Sequence, residues 1–202
     1  PLYTRNGESI QWPVVSGLVA EWMDTVQKKT PTDAVVWAWW DQGYALTYLA
    51  RRATINDGSV HSGERTFYNA IPFSTDSFRF AANFMQFYVE RGVEGVDIFC
   101  KATGSTRLEC INLIKEILTQ GPAKARVIIS RTTPKQSGEF KTPEDWLNFF
   151  FPTDKRPVYL FLDYRLTKTA DWWYWFGTWD IGKQDGVHPA YLPYYNLTHE
   201  GN

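Results

Sequence analysis

Apolar residues recur at every third or fourth position in several stretches of the chain, which is the spacing of an α-helix. The first stretch runs from Val15 to Val26 and stops at Pro31, because proline cannot continue a helix. A second stretch covers residues 75–91 and is followed by Gly92, a residue that commonly ends helices. Both stretches are predicted to be helices that bury one face.

Two further helices are predicted from the residues at their starts. Thr106 is followed three positions later by Glu109, a capping box in which each side chain bonds the other residue's backbone N–H. Thr142-Pro143 places an N-cap residue directly before a proline at the first helical position, where a backbone N–H is not needed. The sequence therefore predicts helices that follow Thr106 and Thr142.

Short runs of consecutive apolar residues are predicted to be strands that are buried on both faces. They cover residues 34–39, 53–56, 126–130 and 157–162. Strands that alternate with helices favour an α/β layer architecture, so we predict a helix-rich layered α/β domain with a small, mostly buried sheet. Residues 1–202 are predicted to form a single domain, with residues 180–202 as its tail. Loops are predicted at Gly104, at Gly121-Pro122 and over residues 132–143.

Composition adds three expectations. The 202 residues carry a net charge of -1, so no basic field attracts nucleic acid. Aromatic residues make up 17% of the chain and include ten tryptophans, which indicates a stacking or interfacial surface as well as a core. The longest apolar runs, VVWAWW and VYLFL, are shorter than the ~18 residues that cross a bilayer. With Pro1 first and no signal peptide, we expect a soluble piece of a larger protein.

Common catalytic motifs are missing from the sequence. GxGxxG, GxxxxGKS/T, HExxH and GxSxG are absent. The three histidines, His61, His188 and His199, lack metal-ligand spacing and are predicted to be isolated surface residues. Asp41 and Asp57 could serve as a glycosidase pair, but no spacing rule supports any pair. We therefore predict no catalytic residue and no metal site within this chain.

The two cysteines, Cys100 and Cys110, are close in sequence and form no CxxC motif. Two free buried thiols are the simpler interpretation. A local disulfide is the alternative if the domain lies in an oxidising compartment.

The segment WWDQG, from Trp39 to Gly43, suits the recognition of a hydroxyl group. A serine or threonine hydroxyl has two lone pairs that the indole N–H groups of Trp39 and Trp40 can fill, and ionised Asp41 accepts its proton. On a regular strand the two indoles would point to opposite faces, so the strand must end there, and Gly43 permits a turn. In the alternative interpretation, the tryptophans are core residues and Asp41 caps the next helix.

WWDQG resembles the WWDYG signature of the catalytic subunit of oligosaccharyltransferase, the membrane enzyme of asparagine-linked glycosylation. The following YALTYLARRATINDGSVHSGER is similar to that family, and AANFMQFYVERG looks most like its bacterial single-subunit form, PglB. The resemblance implies a C-terminal, periplasmic domain of an enzyme that transfers lipid-linked oligosaccharide to the asparagine of Asn-x-Ser/Thr. It implies that Trp39, Trp40 and Asp41 bind the +2 hydroxy residue of the acceptor. Gln42 stands where the family has tyrosine.

The resemblance also implies a second signature, MxxI in bacterial members, that packs beside the methyl group of the acceptor threonine. The best match is LTKTADWW, which assigns this role to Leu166 and Thr169. The family's reactive groups and its Mn²⁺ or Mg²⁺ ligands lie in a preceding transmembrane portion, where the lipid-linked donor also binds. The isolated fragment is therefore expected to bind no cofactor and to transfer no sugar.

Two features allow another interpretation. DWWYWFGTW, residues 171–179, holds six aromatic residues that one helix face cannot bury together. Contact with the transmembrane portion or the membrane interface is one prediction for this segment, and stacking on sugar is the other. The alternative function is thus a non-catalytic carbohydrate- or partner-binding module with an aromatic-rich surface. Asn196-Leu197-Thr198 is itself a glycosylation sequon, a match that chance alone can produce.

Overall fold

The computed structural model describes residues 15–59, 63–132 and 140–187, which form helices around a small parallel sheet. The helices of this part are α1 (Gly17–Lys29), α2 (Gly43–Tyr48), α3 (Glu64–Ala70), α4 (Phe78–Thr103), α5 (Arg107–Thr119), α6 (Pro122–Thr132), α7 (Pro143–Phe150), α8 (Arg165–Lys168) and α9 (Ala170–Gly177). The strands of this part are β1 (Val35–Trp37) and β2 (Val158–Leu160). The predicted helix-rich α/β class is confirmed.

The predicted helix starts are confirmed in atomic detail. Thr106 Oγ1 accepts a hydrogen bond from the N–H of Glu109, and the Glu109 carboxylate accepts one from the N–H of Thr106. Thr142 forms the same reciprocal pair with Asp145 at the start of α7. Each pair satisfies backbone donors that the first helical turn leaves without a partner.

Helix α4 extends further than predicted. Gly92 does interrupt it, with φ of 62° and ψ of -160°, but helical geometry resumes immediately and continues to Thr103. The helix ends where Gly104 adopts a left-handed conformation, with φ of 68°. A glycine at a left-handed position can therefore kink a helix as well as end it.

The strand predicted at residues 126–130 is wrong, because these residues belong to α6. Ala125 and Ile129 are fully buried, whereas Val127 between them is 48% exposed. That burial has a spacing of four, which is helical, although the β-branched run favoured a strand. The packing of α6 against its neighbours therefore outweighs local propensity.

The sheet has one interior strand and one that faces solvent on part of its surface. Val35 to Trp37 pair in parallel with Val158 to Leu160, and β1 is buried along its length. Tyr159 and Leu160 are 40% and 44% exposed, so the predicted burial of β2 on both faces is wrong. The strand predicted at 53–56 reduces to one bridge between Ala53 and Val35.

A buried amide fixes the end of β1. Trp37 is fully buried, and its Nε1 donates to the carbonyl oxygen of Asn69 at 3.1 Å. The side-chain Nδ2 of Asn69 donates to the carbonyl oxygen of Ala38 at 2.9 Å. Because α3 thereby holds both residues, the chain that follows Ala38 leaves the sheet at a fixed point.

Cys100 and Cys110 form a disulfide, so the interpretation as two free thiols is wrong. The turn at Gly104 folds α5 back against α4 and brings the two Cα atoms to 5.3 Å. This separation is within the ordinary range for a disulfide. The bond therefore fastens the two helices at the same end as their turn.

Several sequence features fall outside the described residues, namely His61, His188, His199, the sequon Asn196-Leu197-Thr198 and most of the predicted tail. The described part of that tail, residues 180–187, turns back on α9, where the Val187 N–H donates to Thr178 Oγ1 at 2.8 Å. Across the described ranges, we find no helix with the length and apolar character that crossing a membrane requires.

Candidate functional site

The two tryptophans of WWDQG come together where the chain leaves the sheet. β1 ends at Trp37, and a single 3-10 turn begins at Trp40. The ring centroids of Trp39 and Trp40 are 6.3 Å apart, with an angle of 52° between the ring planes. Neighbouring side chains on a continuing strand would point to opposite faces. The turn therefore supplies the convergence that hydroxyl recognition requires.

Trp39 forms the fixed half of this pair. It is only 3% exposed and contacts Phe73 and Phe176, whose ring centroids lie 6.3 and 6.5 Å from its own. Within the described ranges, the indole N–H of Trp39 donates to no protein acceptor. Trp40 is half-buried, and the backbone of Gly58 packs against its ring. The core thus holds Trp39 in place.

Asp41 is the carboxylate beside the two indoles. Its side chain is 24% exposed, and Oδ2 lies 3.0 Å from Nη2 of Arg165. Burial raises the pKa of Asp41, the Arg165 guanidinium opposes that rise, and the negative charge of Asp163 adds to it. The backbone N–H groups of Asp41 and Gln42 also lower this pKa. The site therefore holds a partly desolvated carboxylate whose charge depends on its neighbours.

Gln42 bonds a second carboxylate, that of Asp163. The side chain is 3% exposed, and Nε2 donates a short hydrogen bond to Oδ2 of Asp163. The two residues lie far apart in sequence, so this bond ties the WWDQG turn to the segment before α8. Gln42 accordingly helps to hold the turn that carries Asp41.

The role predicted for Gly43 is corrected by the structure. Its φ of -58° and ψ of -45° are ordinary helical values, so no special turn requires glycine here. Instead, a Cβ at this position would lie 2.1 Å from the Cα of Asp57 and 2.4 Å from the carbonyl oxygen of Asn56. Gly43 is needed because the 56–57 backbone packs directly against it. Asp57 lies behind the turn and accepts hydrogen bonds from the N–H and hydroxyl of Ser59.

The segment predicted to hold the second signature lies next to the first. Arg165, the first residue of α8, makes the ion pair with Asp41. Leu166 is partly buried against the same apolar core as Trp39, and its carbonyl oxygen accepts a hydrogen bond from Trp173 Nε1 at 2.8 Å. Thr169 Oγ1 donates to the carbonyl oxygen of Arg165 at 3.1 Å. The structure thus brings the two predicted segments together through one arginine.

Sequence reasoning missed Asp163 and Arg165. The Asp163 side chain is 5% exposed, and its Oδ1 accepts from the backbone N–H groups of Arg165 at 2.9 Å and Leu166 at 3.3 Å. Nε of Arg165 lies 3.4 Å from Oδ2 of Asp163, at ion-pair distance but without hydrogen-bond geometry. The available signal was the cation directly before the predicted second signature LTKTADWW.

The aromatic segment 171–179, most of which lies in α9, divides its residues between core and surface. Phe176 and Trp179 are 6% and 7% exposed, whereas Trp172 is 61% exposed.

In the described ranges, no three metal-binding side chains cluster together. The expectation of Mn²⁺ or Mg²⁺ in a larger enzyme stays a prediction.

Comparison with known proteins identifies the class. The sequence profile of the STT3/PglB/AglB core domain matches residues 32–183, and the chain belongs to this family. The predicted oligosaccharyltransferase relationship is therefore confirmed.

Two curated relatives carry the name dolichyl-phosphooligosaccharide-protein glycotransferase. The protein of Methanocaldococcus jannaschii is 27% identical over 164 residues, which is 80% of this chain and 17% of the relative. The protein of Methanococcus voltae is 28% identical over 193 residues, 93% of this chain and 19% of the relative. This chain thus spans less than a fifth of either relative.

The crystal structure of the C. jejuni PglB C-terminal domain aligns with a TM-score of 0.49 and 21% identity, over 79% of this chain and 52% of that one.

Proposed function

We propose that this chain is the acceptor-recognising part of an oligosaccharyltransferase and that Trp39, Trp40 and Asp41 bind the +2 serine or threonine of Asn-x-Ser/Thr. The observation that carries the proposal is the contact of the two indoles after the end of β1, in the chain segment whose 3-10 turn also holds Asp41. Membership of the family favours this function over a carbohydrate-binding module that only uses exposed aromatic rings.

The chemistry of the proposed site matches one hydroxyl group. The two indole N–H groups donate to the lone pairs of the hydroxyl oxygen, and the Asp41 carboxylate accepts its proton. A hydrogen bond to a charged acceptor contributes about 1.5–3 kcal/mol. An acceptor with alanine at +2 would leave a half-buried carboxylate and the Trp39 N–H without a ligand. Sites of this kind reject the analogue without a hydroxyl by factors of roughly 10⁴.

Leu166 and Thr169 are proposed to contact the methyl group that distinguishes threonine from serine. Arg165 places their segment beside Asp41, and the Thr169 hydroxyl is already bonded to the backbone. Thr169 can therefore offer its methyl group to an apolar contact. This contact would add a preference for threonine to the requirement for a hydroxyl.

Sugar transfer is proposed to require portions of a longer protein. The relatives' name specifies a dolichyl-phosphooligosaccharide as donor and protein as acceptor, and this chain spans 17–19% of their length. We propose a lipid-linked oligosaccharide donor, a divalent Mn²⁺ or Mg²⁺ ion and a periplasmic, membrane-attached location for the whole enzyme. The isolated 202 residues are expected to bind an acceptor peptide without glycosylating it.

The decisive experiment uses the full-length enzyme with a peptide that contains Asn-x-Thr. Asp41→Ala and Asp41→Asn are each expected to reduce kcat/KM by at least about 100-fold, because the hydroxyl loses its charged acceptor. Asp154→Ala is the matched control, since Asp154 is an exposed aspartate outside the site. Full activity of both Asp41 variants, or glycosylation by the isolated chain, would contradict the proposal.

A further inference from the structure

We propose that Arg165, held in position by Gln42 and Asp163, is a positioning residue of the acceptor site that fixes the Asp41 carboxylate by one oxygen and leaves the other for the acceptor hydroxyl. The proposal rests on the function proposed above and adds a residue to it. It makes Arg165 a determinant of acceptor affinity that need not touch the reacting amide.

The geometry of Arg165 carries the proposal. The guanidinium lies between two carboxylates, with Nη2 at 3.0 Å from Asp41 Oδ2 and Nε at 3.4 Å from Asp163 Oδ2. Arginine presents its donors in a rigid planar fork, so fixing one edge of the group orients the other. The charge attraction between Asp163 and the Nε edge, at ion-pair distance, therefore favours an orientation in which Nη2 faces Asp41.

Asp163 is itself held by several hydrogen bonds. It is almost fully buried and accepts hydrogen bonds from the side chain of Gln42 and from the backbone N–H groups at the start of α8. Gln42 follows Asp41 directly in the chain. The contacts thus close a ring that runs from Asp41 through Arg165 and Asp163 to Gln42. Such a ring resists rotation of the Asp41 side chain more than an isolated surface ion pair would.

Arg165 contacts Oδ2 of Asp41, and the backbone N–H groups of Asp41 and Gln42 also interact with this carboxylate. An ionised carboxylate has about four lone-pair sites, so a hydroxyl can donate to the other oxygen while the ion pair remains. Arg165 is 38% exposed, which places the pair at the protein surface and not in a sealed interior. The arrangement therefore prepares the acceptor oxygen without blocking it.

The charges around Asp41 explain why a cation is required. Asp163 and Arg165, both from the segment that opens α8, are the charged groups that act on Asp41. Burial and the Asp163 charge raise the pKa of Asp41, and Arg165 lowers it. Removal of the guanidinium charge would leave two neighbouring carboxylates with no cation between them. Asp41 would then take up a proton at a higher pH and lose its capacity as an ionic acceptor.

The test compares Arg165→Gln with Arg165→Lys in the full-length enzyme. KM and kcat for an Asn-x-Thr peptide are measured across pH, and circular dichroism and Tm confirm folding. Arg165→Gln retains hydrogen-bond donors without charge. We expect its kcat/KM at neutral pH to fall about tenfold, mainly through KM, because the Asp41 carboxylate is then no longer held by its ion pair. We also expect the acid limb of its pH profile to move to higher pH.

Arg165→Lys restores the charge and is expected to return the acid limb toward its original position. Arg126→Gln is the matched control, because Arg126 forms an exposed ion pair with Glu144 far along the chain from the site. A uniform loss in Arg165→Gln with an unshifted pH profile, or no loss at all, would overturn the proposal. Full activity of Asp41→Ala would reject the proposed function itself, and with it the role of Arg165. An inactive Asp41→Ala together with a normal Arg165→Gln would reject only the role of Arg165.

Discussion

Gly43 and Asp57 are in direct backbone contact, and no side chain fits between them. A Cβ on Gly43 would lie 2.1 Å from the Asp57 Cα, a distance that real Cβ atoms do not reach. The glycine of WWDQG thereby sets the position of a loop whose next residue, Gly58, packs against the ring of Trp40. The close approach links the turn that carries Asp41 to the loop that packs against Trp40.

Gly43→Ala is therefore expected to move the 56–57 backbone and to disturb Trp40. Overpacking of a closely packed position costs about 1–3 kcal/mol, and we expect the free energy of unfolding to fall by that amount. KM for an Asn-x-Thr peptide should rise in the full-length enzyme. Chemical denaturation and steady-state kinetics measure the two effects.

Gly17→Ala is the matched control for that substitution. Gly17 begins α1, and a Cβ there would meet no atom within 4 Å. Alanine at this position should leave stability unchanged or raise it by up to about 1 kcal/mol. An equal loss of stability in both variants would show that the contact with Asp57 is not what excludes a side chain at position 43.

Glu109 should make stability depend on pH. The backbone N–H and then the hydroxyl of Thr106 hold the pKa of Glu109 below its ordinary value of 4.5. A carboxyl group with a lowered folded-state pKa stabilises the protein above the unfolded-state pKa, and that stabilisation is lost as the pH falls through the folded-state value. Glu109→Gln should thus lower Tm at neutral pH and converge with the unmodified protein in acid.

Thermal unfolding across that pH range tests the capping box at α5. Glu116→Gln is a suitable control, because Glu116 is an exposed glutamate of the same helix, outside the capping box. If Glu109→Gln lowers Tm equally at every pH, the ionised carboxylate is not the stabilising species.

The Cys100–Cys110 disulfide should stabilise the hairpin formed by α4 and α5. The bond closes a loop with a sequence separation of 10, and loop-closure entropy predicts a contribution of roughly 3 kcal/mol for a loop of that length. Replacing both cysteines by serine should reduce the free energy of unfolding by about that amount, as measured by denaturant titration. Reduction of the unmodified protein should reproduce the loss, and reduction of the double variant should have no further effect.

The sequence predicted an element correctly where the deciding interaction joins residues that are close together in the chain. Capping at Thr106 and Thr142 is decided within four residues, so the sequence alone predicted it. Residues 126–130 form a helix because Ala125 and Ile129 are buried by packing, whereas the β-branched run in the sequence favoured a strand. Local pattern therefore sufficed for helix ends and not for every element.

The same distinction applies to the candidate site. The sequence alone indicated WWDQG as a site, because it places two indole donors next to one carboxylate. The contact between Trp39 and Trp40 was expected because the strand has to end there for the two side chains to converge. The pairing of Asp41 with Arg165 was not visible, because the two residues are distant in sequence and only the folded chain brings them together. The contact of Gly43 with Asp57 was missed for the same reason.

Thr169 provides the last prediction, which concerns the choice between threonine and serine acceptors. The Thr169 hydroxyl donates to the Arg165 carbonyl, and Leu166 lies partly buried one helical turn earlier. Thr169→Ile replaces a polar atom by apolar surface, and one buried methylene contributes about 0.8 kcal/mol. The ratio of kcat/KM for Asn-x-Thr over Asn-x-Ser should consequently rise about fourfold in the full-length enzyme.

The serine peptide serves as the internal control for that measurement, because it keeps the hydroxyl and lacks only the methyl group. Thr167→Ile is the matched substitution, since Thr167 is exposed on the same short helix and its hydroxyl also bonds a backbone carbonyl. The ratio should stay constant there. An unchanged ratio in Thr169→Ile would reject the assignment of Leu166 and Thr169 as the methyl contact. The hydroxyl site at Asp41 would stand, because the Asp41 variants test that site and the methyl group does not.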